Sequence, residues 1–270
     1  MMHIAREILN WPLLVFCITA VLCSAAVWLG HLASKRAHDL NKALATDLNI
    51  IQAATLTLLA LIIGFTFSMA ITRHDLRENL EATEANVIGT EYLRTDLLPE
   101  QAAAKAKKLL IQYLDIRIDY YNTHDHKRLE KIYQETDRLQ TQLWDAVAPS
   151  VRSNQTPVMA LVAAGMNEVI DSEGFTVASW AARLPVTAWI LMCAIALFAN
   201  LLLGFGAYNF ARKTWIFLVF PFITAISFFL IADIDSPRGG AIKIIPRNLQ
   251  SLKQSIDPNV MSQQPSGKTN

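Results

Sequence analysis

The chain has 270 residues, 53% of them hydrophobic and 17% charged, with a formal net charge of +1. Soluble domains average about 45–50% apolar and about 25% charged residues, so a very apolar part must coexist with a polar one. The near-zero net charge gives no electrostatic footprint for nucleic acid. The three cysteines, Cys17, Cys23 and Cys193, have no zinc or CxxC spacing and sit in apolar runs as small hydrophobes.

A membrane helix needs about 20 mostly apolar residues. After an N-terminal segment, residues 1–10, the first such run covers residues 11–32 and is closed by Lys35 and Arg36. It outlasts the apolar region of about 7–15 residues in a cleaved signal peptide. Trp28 and Leu29 also follow its one small cluster, Ser24-Ala25-Ala26, so the run is expected to stay as an anchor. Residues 33–49 are expected to form a hairpin loop, and residues 50–71 a second span closed by Arg73 and His74.

Residues 72–183 hold no long apolar run and carry helical periodicity instead. Residues 73–98 read as a polar continuation of the second span, with Arg77 and Glu81 four apart, stopped by Pro99. A helix from Gln101 turns Leu109, Leu110, Tyr113, Leu114, Ile116 and Tyr120 inward. After a turn at Asn122–Asp125, a helix over residues 127–147 does the same with Leu129, Ile132, Leu139, Leu143 and Val147. Residues 149–157 are expected to be a loop. A last helix from Pro157 through Trp180 has Val158, Leu161, Val162, Met166, Val169 and Ile170 on its apolar side, and Glu78 and Glu81 are expected on a solvated face.

A third span follows at residues 184–208, a turn at 209–213, and a fourth span at 214–232 with Pro221 inside it. Residues 233–256 form a post-span segment. Residues 257–270 are rich in Ser, Gln, Pro and Asn and read as a disordered tail. The expected fold is an all-α integral membrane protein with four transmembrane helices and a helical-bundle insert between the second and third. Lys and Arg density favours cytoplasmic hairpins, whereas their total favours the opposite orientation.

Several stretches resemble a known family. Gly64-Phe65-Thr66-Phe67-Ser68-Met69-Ala70 leads into Arg73-His74-Asp75. Then comes Glu84-Ala85-Asn86-Val87-Ile88-Gly89-Thr90-Glu91-Tyr92-Leu93-Arg94-Thr95-Asp96-Leu97-Leu98-Pro99. Met166-Asn167-Glu168-Val169-Ile170-Asp171, Leu184-Pro185-Val186 and Asp233-Ile234-Asp235-Ser236-Pro237-Arg238-Gly239-Gly240 follow in order. This order is similar to the bestrophin-like family of bacterial membrane proteins, over about Ile50 to Ile256. Ile245-Pro246-Arg247-Asn248-Leu249 departs from the Gln- or Ser-rich turn more usual there. Bestrophins are pentameric anion channels, so the resemblance implies a homo-oligomer in a bacterial inner membrane that conducts a small anion. The alternative is a non-conducting scaffold or sensor whose insert binds a partner.

Individual residues carry two readings each. Thr55 and Thr66 share one face of the second span, and Thr57, Gly64 and Ser68 another. They are either helix-packing positions or a pore lining narrowed at Phe65 or Phe67. Asn200, the one amide in the third span, is either interhelical glue or part of a cavity lining. Asp233 and Asp235 oppose the dipole of the fourth span and need partners, either a turn stapled by Arg238 or a cation clasp. Glu84 and Asn86 are expected in polar contacts with Arg73, Arg94 or Arg238. No phosphate loop, GxSxG, HExxH or dinucleotide fingerprint occurs, so no enzyme, cofactor or metal site is expected. The partners expected are the lipid bilayer, further copies of the chain and an anion.

Overall fold

The structure is a computed structural model that describes residues 9–36, 38–206 and 210–257, with the side chains of residues 36, 38–46 and 210–216 outside that description. Among the described residues the regular structure is helical throughout. The elements are α1 (Pro12–Arg36), α2 (His38–Arg94), a 3₁₀ turn (Thr95–Leu97), α3 (Glu100–Asn122), α4 (His126–Ser153), α5 (Pro157–Ala181), α6 (Val186–Phe205), α7 (Phe210–Asp235) and α8 (Arg247–Ile256). Among the described residues four helices are long and apolar enough to cross a membrane.

Four boundaries differ from expectation, one being that α7 starts at Phe210, inside the turn placed at 209–213. The hairpin loop placed at residues 33–49 is mostly helix, because α1 runs to Arg36 and α2 starts at His38. Residues 38–49 contain neither Pro nor Gly and include Leu40, Ala43, Leu44, Ala45 and Leu48, residue types that favour helix. The loop placed at 149–157 is helical to Ser153, with Pro149 inside α4. A proline removes its own N–H bond and crowds the carbonyl one turn back, and here it does so in the closing turns, where few helical bonds follow. The post-span segment at 233–256 contains α8, with Pro246 at its N-cap. Residues 1–8, 207–209 and 258–270, including most of the expected tail and the start of the 209–213 turn, lie outside the described residues.

The chain divides into two compact units. One comprises Met1–His74 and Arg183–Lys243. In it α1 packs on α6 and α7 around Trp189, Met192, Ala196, Phe228 and Ile231. The α1–α6 contact is backbone on backbone. A Cβ on Gly204 would stand 1.9 Å from the Val27 carbonyl oxygen, and one on Gly30 would stand 2.0 Å from that of Leu201. Glycine is required at both positions, because only small residues let membrane helices approach this closely. The outer surface is apolar, with Leu13, Val21, Trp28, Ile190, Phe198 and Phe222 exposed. An exterior of that kind on helices this long suits hydrocarbon rather than water.

The second unit comprises Asp75–Ala182 and Ile244–Asn270. Here α3 packs on α4, α4 on α5, and α8 on α3. The core holds Ile88, Leu110, Leu114, Ile132, Leu139, Leu143, Val162 and Met166. Asp125 caps α4 by accepting from the Lys127 N–H at 3.0 Å. On α5, Val162, Met166 and Val169 face the core as expected, whereas Val158 and Leu161 are exposed and Met159 is buried in their place. The apolar run on α5 is wider than the core it meets, so periodicity alone selected too many positions.

Candidate functional site

Within the first unit, α2 divides the expected pore-or-packing residues between two faces. Leu59, Thr66 and Ala70 are buried, and Phe67 packs partly buried against the core beside Leu56, Ile62 and Ile63. The opposite face exposes Leu58, Leu61, Phe65 and Met69, with Thr57, Gly64 and Ser68 among them. Phe65 is 66% exposed, so of the two phenylalanines only this one projects away from its own unit. The threonine hydroxyls are already engaged. Thr55, Thr57 and Thr66 donate to the carbonyl oxygens of Ile51, Ala53 and Ile62 at 2.8, 2.9 and 2.7 Å. This back-bonding one turn along the helix satisfies each hydroxyl internally. The outward face of α2 is therefore apolar in character and carries no charge between Ile50 and Thr72.

Asn200 is fully buried in α6, and its Nδ2 donates to the Ala196 carbonyl at 2.8 Å. Its Oδ1 has no donor among the described residues. The carboxylates that close α7 hold backbone N–H groups. Asp233 accepts from the N–H groups of Ala241 and Ile242 at 2.7 and 3.0 Å, and Asp235 accepts from the Leu184 N–H at 3.0 Å. Ser236 Oγ accepts from the Gly239 N–H at 3.1 Å. Each carboxylate thus anchors a chain segment, at Ala241–Ile242 and at the entry to α6, and offsets its unfavourable place on the helix dipole. Arg238 is half-buried in the same turn. Among the described residues no group of three metal-ligating side chains converges.

The second unit contains a buried ion pair. Glu84 of α2 and Arg117 of α3 are both fully buried and hydrogen-bonded to each other. The Glu84 carboxylate also accepts from the hydroxyls of Tyr121 and Thr176, each at 3.1 Å, so it ties α2 to α3 and α5. Arg117 further lies 3.7 Å from Glu173 and over the Tyr120 ring at 4.6 Å. Burial, the largest single cause, would lower the Arg117 pKa, but Glu84, Tyr113 and Glu173 together outweigh it and hold the guanidinium charged. Burial raises the Tyr121 phenol, with Glu84 adding to it. Trp180 packs on Tyr120 and Tyr121 with ring centroids 5.2 and 5.4 Å apart and closes this cluster.

Two expectations for the acidic residues of α2 are corrected by these contacts. Glu84 meets Arg117, not Arg73, Arg94 or Arg238. Glu81, expected on a solvated face, is buried and accepts from Asn248 Nδ2 at 2.6 Å and the Leu249 N–H at 3.0 Å. It clamps the first turn of α8, the segment that departs from the family pattern. Asn86 is exposed and lines a groove with Asn248 and Ser251. Arg117 was the missed residue. Its place among Tyr113, Leu114, Tyr120 and Tyr121, three and four positions away on a buried face, was the available signal.

A family model of the bestrophin-like domain matches residues 17–249. No curated protein matches by sequence. Among solved structures, a bacterial bestrophin homologue from Klebsiella pneumoniae aligns at 13% identity with a TM-score of 0.63, covering 92% of this chain and 99% of its own. A single-substitution variant of that homologue aligns at 17% identity with a TM-score of 0.64 and the same coverage.

Proposed function

The chain belongs to the bestrophin-like family, and from that premise we propose that several copies assemble around a membrane pore that conducts a small anion. In this reading α2 of each copy forms the wall, and the site of action is a bacterial inner membrane. The carrying observation is the outward face of α2, where Leu58, Leu61, Phe65 and Met69 stand exposed without a charged residue among them. A face of that kind suits a hydrophobic constriction that gates by dewetting, with Phe65 at the narrowing. The engaged threonine hydroxyls support an apolar wall rather than a polar one. Phe67, packed on its own unit, supports the helix instead.

The proposal is tested by chloride efflux from liposomes holding the purified oligomer, beside empty vesicles. Efflux should exceed the control, and Phe65→Ala should change it strongly while Phe67→Ala lowers thermal stability. A folded oligomer that moves no chloride contradicts the reading.

A further inference from the structure

Three buried glutamates of α2 stand in the second unit, and they differ in one respect. Glu81 accepts from an amide and a backbone N–H, and Glu84 accepts from a guanidinium and two hydroxyls. Glu91 is equally buried, yet neither of its carboxyl oxygens has a hydrogen-bond donor among the described residues. Buried carboxylates need donors, because desolvation penalises the ion far more than the neutral acid. The two neighbours show the donors that a buried glutamate is given in this fold, and Glu91 is given none of them.

The surroundings of Glu91 are equally specific. Gly165 of α5 lies against it, and a Cβ there would stand 2.0 Å from Glu91 Oε2 and 2.3 Å from Arg94 Nη1. The carboxyl therefore fills the space that a side chain on α5 would take. Arg94 Nη1 is 3.8 Å from Glu91 Oε2, beyond hydrogen-bond distance, and 3.7 Å from Glu168 Oε2 of α5. Its charge is shared between the two acids, and its side chain is 30% exposed. Of the other charged groups nearby in sequence and on the next helix, Asp96 and Lys107 pair with each other.

We propose that Glu91 is a proton-binding site: in this packing of α2 on α5 it is held as the neutral carboxylic acid, and loss of the proton opens the contact at Gly165. The inference stands independently of the pore reading. Burial is the main cause, Arg94 opposes it and Glu168 adds to it, so the carboxyl is pushed from 4.5 up to about 8. The folded state then holds a proton that the unfolded chain has released between about pH 4.5 and about 8. Stability conferred at this position is full below that window, falls as pH rises through it, and reaches its minimum above it.

The test uses the full chain in lipid, followed by infrared difference spectroscopy and amide hydrogen exchange across pH. A protonated-carboxyl band should be present at neutral pH, vanish with a midpoint near 8, and be missing in Glu91→Gln. Exchange in residues 162–168 should accelerate beyond its intrinsic pH dependence above that midpoint in the wild type only. Gly165→Ala, which displaces the carboxyl, should return the midpoint toward the ordinary carboxylate range. This variant and the wild-type titration decide the matter if Glu91→Gln does not fold. Absence of a protonated band at neutral pH, a midpoint unmoved by Gly165→Ala, or identical exchange in wild type and Glu91→Gln would overturn the proposal.

Discussion

Replacing Glu84 with Gln tests what the buried ion pair contributes. The substitution keeps the size of the side chain and removes the charge, leaving Arg117 fully buried opposite an amide. A lysine could shed its proton, but a guanidinium cannot, so the uncompensated charge must remain. Breaking a buried pair from one side costs about 3–5 kcal/mol. Glu173, 3.7 Å from Arg117, supplies partial compensation, which places the expected loss near the lower end, about 3 kcal/mol. At about 4 °C per kcal/mol for a helical unit of this size, the thermal midpoint should fall by roughly 12 °C. The assay is a melt of the full chain in detergent, followed by the near-ultraviolet signal of Trp180 and Tyr121. The double variant Glu84→Gln with Arg117→Met should recover most of the loss, since apolar replacement of a buried pair is often neutral. A single variant that melts within a degree or two of the wild type, or a double variant no better than the single, would refute the argument.

Two further substitutions probe the scaffold. Gly204→Ala places a methyl group 1.9 Å from the Val27 carbonyl oxygen, which is backbone and cannot swing aside; overpacking of this kind costs about 1–3 kcal/mol. A melt in detergent should show the loss, and an unchanged midpoint would mean that α1 and α6 are not held this closely. Glu81→Ala removes the acceptor for Asn248 and the Leu249 N–H and strands the buried Leu249 N–H at about 1–3 kcal/mol. Limited proteolysis between residues 241 and 257 should quicken, and equal protection in variant and wild type would show that Glu81 does not hold α8.

The all-helical membrane architecture was legible because apolar length is a coarse and durable signal. The faces of α2 were not. A helix that is apolar all round gives no polar side to separate Phe65 from Phe67, and only the packing of α2 on its neighbours exposes one and covers the other. The acidic residues misled for a different reason. Glu81 and Glu84 have the spacing of a solvated helix, and the partner that buries Glu84 lies 33 positions away on another element. Asp233 and Asp235 were legible as needing partners, yet backbone N–H groups leave no residue-type signature in a sequence. The helix over residues 38–49 was readable from its lack of Pro and Gly, but its polarity beside an apolar run suggested a loop.

The central claim, that Phe65 faces a conducting path, is tested most directly by thiol modification. In a background with Cys17, Cys23 and Cys193 replaced, Phe65→Cys and Phe67→Cys are reconstituted in liposomes and treated with a charged, water-soluble thiol reagent during chloride efflux. The account predicts rapid modification and altered efflux at position 65, and neither at position 67. Full modification at position 65 with efflux unchanged would contradict it.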